Sequence, residues 1–174
     1  MESKAKILGH AVHPMLIVFP LGLLATAVAF DIVGLAQNDS MWFHISFWMI
    51  AAGIIGGLCA ALFGIIDWAA IPSGTRAARI GLWHGGTNVV VVVLFAISWF
   101  MRRSNDEMPV NSALVLSFVG VALALVGGWL GGELVGRLGV SVDDGANLNA
   151  PNSLTHHDAH TGTSTTDYPM RKAS

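Results

Sequence analysis

His10 and His13 stand immediately before a long apolar run, and Pro14 follows the second of them. A neutral imidazole is a nitrogen ligand for iron, zinc or copper, an axial ligand for haem and a proton carrier near neutral pH. At the mouth of a hydrophobic segment such a side chain is costly, which makes the position a functional hypothesis by default. Pro14 lacks an N–H and suits the first position of a helix, so His13 is expected at or near the N-cap, presenting its ring at a helix entrance. Further along, His84 is followed by Asn88 one helical turn later, and carboxylates sit at the ends of apolar runs at Asp67 and Glu133. Two histidines and two carboxylates, His13, His84, Asp67 and Glu133, are a set from which helical bundles assemble metal sites. Haem b would instead use His84 with His13 or His10, and Gly85 and Gly86 remove bulk beside His84 where a flat macrocycle could lie. The same groups in sequence would also carry protons. Spacing leaves these three uses open. Such residues can also simply fix a bundle by pairing with Arg76, Arg79 and Arg137, a bland role that suits the acids better than the histidines.

The elements that must position these groups follow from composition. Of 174 residues, 53% are hydrophobic and 11% charged, and the mean hydropathy is +0.62. Soluble domains carry roughly 25% charged residues, so the chain is an integral membrane protein. Its basic residues come in clusters, Lys4 and Lys6, Arg76 and Arg79, then Arg102 and Arg103, with long apolar runs between. A net charge of −2 gives no reason to expect a nucleic-acid partner. The single cysteine, Cys59, lies inside an apolar run, where it forms no internal disulfide and is expected to pack as a small residue.

Four spans are expected, at about 14–36, 41–66, 81–101 and 113–134. They give an all-α, up-down-up-down integral membrane four-helix bundle over residues 1–140, with a disordered polar C-terminal tail over 141–174. In span 1, Ala25-Thr26-Ala27 imitates a cleavage site, but the run outlasts the roughly 7–15 residues of a signal h-region and carries Asp31, so it reads as a retained helix. Pro20 cannot donate to the Leu16 carbonyl, which predicts a kink one turn inside the membrane. Asp31 returns to the helix face of His13, at about 100° per residue. Gln37-Asn38-Asp39-Ser40 reads as a tight turn with Ser40 as the next N-cap. Span 2 carries two files of small residues, Gly53, Gly57 and Ala61 beside Ala52, Gly56, Ala60 and Gly64. Span 4 has the longest, Gly120, Ala124, Gly128, Gly132 and Gly136, which should make it the most tightly packed helix; Gly-rich faces also suit a homo-oligomer. Pro72-Ser73-Gly74-Thr75 breaks the chain before span 3, whose Val89–Val93 run would be a strand in water but is a helix in lipid. No clear internal repeat is visible.

With four spans, both termini and the central loop share a side that holds Lys4, Lys6, Arg76, Arg79 and Arg137, against Arg102 and Arg103 on the other. The positive-inside rule then places both termini in the cytoplasm. His13, Asp67, His84 and Glu133 fall at that end, one from each span, with His10 nearby. At the opposite end Asp31 and His44 are expected to pair across the hairpin as a secondary, mainly structural site. Met41, Met49, Met101 and Met108 lie toward the same side; thioether with imidazole suits copper(I), although scattered methionines more often fill space. In the tail, His156, His157 and His160 could bind a metal weakly, an exposed polar tail being the plainer account.

Several local motifs together resemble one bacterial family. They are Gly9-His10-Ala11-Val12-His13-Pro14 followed by Phe19-Pro20-Leu21-Gly22, the Phe30-Asp31 pair, Gly64 through Asp67, His84 with Asn88, and Gly131-Gly132-Glu133-Leu134 ending in Leu138-Gly139-Val140. The family is the four-span "predicted membrane protein, domain of unknown function" group that opens with a Gly-His-x-x-His-Pro motif, and the resemblance covers about residues 9–142. It implies four transmembrane helices in a prokaryotic inner membrane and no established activity. Related domains occur fused to, or near, Rieske iron–sulfur and cytochrome modules, which implies redox work and haem binding. This chain carries only a polar tail, so a Rieske or cytochrome-type partner must be separate. That inference is by analogy alone. Three functions therefore stand: a redox-associated subunit holding haem b or a transition metal at His13, His84 and His10; an ion or proton transporter or channel using His13, Asp67, His84 and Glu133; and a structural or assembly subunit. No nucleophile–base pair, phosphate-cradling glycine loop or nucleotide motif points to a soluble-substrate enzyme. The lipid bilayer is the partner common to all three.

Overall fold

The computed structural model describes residues 1–155 and 157–162; His156 and residues 163–174 lie outside the described residues. Two short strands, β1 (Lys6–Ile7) and β2 (His10–Ala11), lead into a one-turn helix α1 (Val12–Leu16) and four long helices, α2 (Val18–Gln37), α3 (Ser40–Ala69), α4 (Arg76–Arg102) and α5 (Asn111–Gly136). Val12–Gln37, α3, α4 and α5 are each long and apolar enough to cross a membrane. The 30 residues of α3 reach about 45 Å at 1.5 Å per residue, more than the roughly 30 Å hydrocarbon core of a bilayer.

The helices alternate in direction and pack in a ring, α2 on α3, α3 on α4, α4 on α5 and α5 back on α2. Helices α2 and α4 therefore stand at opposite corners. The centre is apolar, built from Leu24, Ala27, Val28, Ile50, Val91 and Phe95. The outside is apolar as well: Ile55, Leu62, Trp83, Leu125 and Trp129 are all exposed. Water does not tolerate so continuous an apolar surface, whereas lipid does, and the helices satisfy their own backbones within it. The Val89–Val93 run is helical, as lipid requires.

Several local expectations are corrected. Ala11 is the N-cap of α1, which leaves His13 near the cap rather than at it. Strands β1 and β2 pair with Lys6 opposite Ala11 and Ile7 opposite His10, and Val12 N–H donates to the Ala5 carbonyl at 2.9 Å. This hairpin pulls the helix start forward, so His13 lies within the first turn, where Pro14's missing N–H still breaks no helical bond. The bend expected from Pro20 is a break at Ile17, between α1 and α2. Asp39, rather than Ser40, caps α3 and accepts from Met41 N–H at 3.0 Å. Asn38, left-handed with φ 52°, ends α2 and turns the chain so that Asp39 is the residue left extended. Thr75 caps α4, accepting from Ala78 N–H at 3.1 Å. Cys59 is exposed on α3 rather than packed.

Helix α5 is the most buried of the four, as its glycines suggested. Of the expected glycines, however, only Gly120 is among those responsible. Gly128, Gly132 and Gly136 face open space, while Gly120, Gly127 and Gly131 face α4, against Phe95, Asn88 and His84. Steps of seven and four residues track the seam between two nearly antiparallel helices better than a strict four-residue step, which drifts around the cylinder. Beyond α5, Ser141 N–H donates to the Met1 carbonyl at 2.9 Å, and Lys6 donates to both Glu2 and Asp143.

Candidate functional site

At the end of the bundle that carries residue 1 and the end of α5, His13 and His84 meet with ring centres 6.2 Å apart and planes at 88°. His13 Nδ1 lies 2.8 Å from the Ala60 carbonyl, and His84 Nδ1 lies 2.9 Å from the Gly127 carbonyl. A carbonyl can only accept, so each Nδ1 carries the hydrogen and, in the neutral ring, each Nε2 carries the lone pair. Both rings are seated over glycine. A Cβ on Gly64 would stand 2.9 Å from His13 Cε1, and one on Gly131 would stand 3.1 Å from His84 Cε1. Asn88 donates to the carbonyl of His84 at 2.9 Å, and its amide nitrogen is 3.4 Å from either ring nitrogen. Gly85 and Gly86 face open space.

The other proposed ligands are engaged elsewhere. Asp67 receives Ser3 Oγ at 2.7 Å and Lys4 N–H at 2.8 Å, which fastens the segment before β1 to the end of α3. Glu133 pairs with Arg76 Nη2 at 2.6 Å. His10 is exposed, 3.3 Å from Ser153 Oγ. His13, His84, Asp67 and Glu133 thus do not close on one point. Among the described residues no group of three or more His, Cys, Asp or Glu side chains could hold a metal. The two histidines come together, and the two acids do what interfacial acids ordinarily do. Of the tail histidines, His156 lies outside the described residues, and His157 lines a surface cavity beside His10 and Asp143.

The opposite end corrects the expected Asp31–His44 pair. Asp31 is wholly buried and binds Arg102, also wholly buried, through Nη1 at 2.8 Å and Nη2 at 2.7 Å. Nη1 also reaches Ser46 Oγ at 3.3 Å, Nη2 reaches Ser117 Oγ at 3.0 Å, and Nε reaches Ser98 Oγ at 3.2 Å. All five guanidinium N–H groups therefore have an acceptor, drawn from all four long helices. His44 faces Asp106 in the loop between α4 and α5 instead. The sequence offered one usable signal: Arg102 falls on the same face of its helix relative to His84 as Asp31 does relative to His13, but as one of two adjacent arginines it reads as a loop charge. Between the two polar layers lie Leu24, Val28, Ile50, Val91 and Phe95, all buried.

Residues 9–144 match the family model described as Predicted membrane protein (DUF2231), and the chain belongs to that family. No curated protein and no solved structure matches it.

Proposed function

We propose that this member of the predicted-membrane-protein family uses His13 and His84 as a two-nitrogen ligand set for a haem iron or a transition-metal ion, in a redox-associated subunit of a bacterial inner membrane. The observation that carries this reading is that both Nδ1–H groups are held by backbone carbonyls. Metal-binding histidines are characteristically oriented in this way through the nitrogen they do not use, which fixes the tautomer and leaves Nε2 to the metal. The two rings are also neighbours, with centres 6.2 Å apart, so that both would be available to one bound group. With two nitrogens and no third ligand among the described residues, His13 and His84 would suit a haem iron or a low-coordinate ion such as copper(I) better than a closed four-ligand zinc site. A bound metal would supply one-electron chemistry. The chain's own residues hold the ring orientation, with both rings half-buried at the end of the bundle.

Orientation belongs to the same proposal. The end holding Lys4, Lys6, Arg76, Arg79 and Arg137 is the cytoplasmic one, and the opposite end keeps only Arg103 once Arg102 is inside the bundle. The electron-transfer partner is a separate Rieske or cytochrome-type protein. The transport alternative has less support, because a polar path would have to pass the apolar layer around Leu24 and Phe95. Protein purified in mild detergent should show a Soret band or stoichiometric bound metal, lost in both His13→Ala and His84→Ala. Absence of both signals from the wild-type protein overturns the reading.

A further inference from the structure

His13, Leu24 and Asp31 of the first helical hairpin correspond to His84, Phe95 and Arg102 of the second at one constant offset of 71 residues (13 to 84, 24 to 95, 31 to 102). Gly53, Ala60 and Gly64 on α3 correspond to Gly120, Gly127 and Gly131 on α5 at a constant offset of 67 (53 to 120, 60 to 127, 64 to 131). The contacts correspond as well as the positions. His13 donates to Ala60 and sits over Gly64, as His84 donates to Gly127 and sits over Gly131. Leu24 fills the space over Gly53, as Phe95 fills the space over Gly120.

Moreover, each first-hairpin residue meets its own counterpart at the centre of the bundle. His13 faces His84, Leu24 and Phe95 share one buried cluster, and Asp31 binds Arg102. In this ring of alternating helices, with α2 diagonal to α4 and α3 diagonal to α5, counterparts that meet at the centre lie on a twofold axis. Steps of eleven and seven residues are close to whole numbers of helical turns, so all three positions lie on one face. Because both hairpins start at the same end, that axis runs along the bundle, the relation seen in parallel membrane repeats.

We infer that the chain is one helical hairpin built twice and docked face to face, each copy being the other's partner surface, with the Asp31–Arg102 layer as the place where the copies diverged so that unlike halves pair. Charge explains the divergence. On a twofold axis an unchanged copy would bury Asp against Asp or Arg against Arg, and like charges taken out of water without a counterion are untenable. Neutral histidine can face itself, and the histidines are the axial pair that stayed identical. The inference does not depend on whether a metal is bound.

Exchanging the layer between hairpins in the full-length protein tests it. Ala27→Ser, Asp31→Arg, Ser46→Ala and Ile50→Ser are combined with Ser98→Ala, Arg102→Asp, Ala113→Ser and Ser117→Ile, which regenerates the same layer rotated by half a turn. This eightfold variant should give wild-type yield of monodisperse protein in detergent and a thermal midpoint close to wild type. Asp31→Arg alone and Arg102→Asp alone should lose nearly all of it. Asp31→Arg with Arg102→Asp should recover only part, because the relocated guanidinium would meet Ala27 and Ile50 where serines are needed. As a second readout, Leu24→Phe combined with Phe95→Leu should be more stable than either single variant. The inference is overturned if the eightfold exchange is no better than the charge-only exchange, or if the core exchange is no better than its singles.

Discussion

The two polar layers of this bundle are positioned by the same helices and finished in opposite ways. Around Arg102 every donor of the guanidinium is used, by Asp31, Ser46, Ser98 and Ser117. Around His13 and His84 each ring has one nitrogen fixed by a carbonyl and the other left as a lone pair. A buried network with no capacity left is a fastening. The rings keep one nitrogen each that the carbonyls do not use, which is the capacity the proposed ligand set draws on.

That contrast can be broken most severely at Arg102. Arg102→Met strands Asp31 as an unpaired buried carboxylate, and removing one partner of such a pair costs about 3–5 kcal/mol. The thermal midpoint in detergent should collapse, and a wild-type midpoint would mean that the layer fastens nothing. His84→Ala and His13→Ala remove one hydrogen bond each, about 1 kcal/mol. They should leave folded protein while abolishing the metal or haem signal. Loss of folding together with the signal would erase the distinction between the two ends. Gly64→Ala and Gly131→Ala keep the ligands but push their rings off the seat. Disturbing the support of a ligand weakens metal binding roughly 10- to 100-fold, whereas Gly128→Ala, which faces open space, should change nothing.

The smallest effects lie at the ends of the chain's ties. His44→Asn loses a partly exposed pair with Asp106 and should lower stability by about 0.2–1 kcal/mol. The tie between Lys6, Glu2 and Asp143 should respond to pH in a defined sense. Hydrogen bonds from Lys6 to Asp143 and then to Glu2 raise its pKa above the ordinary lysine value. Its contribution is therefore complete below that value and lost as pH rises through the raised one. Hydrogen bonds to Lys6 and to Asp144 N–H lower the pKa of Glu2, so its contribution is present above the ordinary carboxylate value and lost as pH falls through the lowered one. Protection of the amides in residues 1–11, relative to the intrinsic exchange rate at each pH, should fall at both extremes; unchanged protection would show that this tie does not hold the strands.

The spans were legible because composition and length set them directly, and the four expected segments fall within the observed helices. His13 and His84 were legible as candidates because imidazole at a helix end is conspicuous. What composition and spacing could not supply was partnership. Asp67 looks like a ligand until Ser3 is placed against it, and Ser3 is far away in the chain. Arg102 looks like a loop charge beside Arg103 until its helix is seen to bring it into the bundle. Helix starts shifted by a residue or two because caps depend on the backbone before them, as Asn38 shows for Asp39. The repeat was hidden for a different reason. Its two halves share few residue types, and its two offsets differ because α2 and α3 run on past the charged layer as helix, whereas α4 ends at Arg102 and gives way to a loop.

The buried ion pair has one more consequence. A membrane potential does work on a charge only in proportion to the voltage difference through which the charge moves, about 2.3 kcal/mol for each elementary charge across 100 mV. Asp31 and Arg102 are bound to each other at the same depth, so whatever force the field exerts on one is cancelled by the force on the other. A lone arginine at that position would feel a net pull along the field. The paired one adds no net charge to the interior of the bundle, so the field finds nothing there to drag.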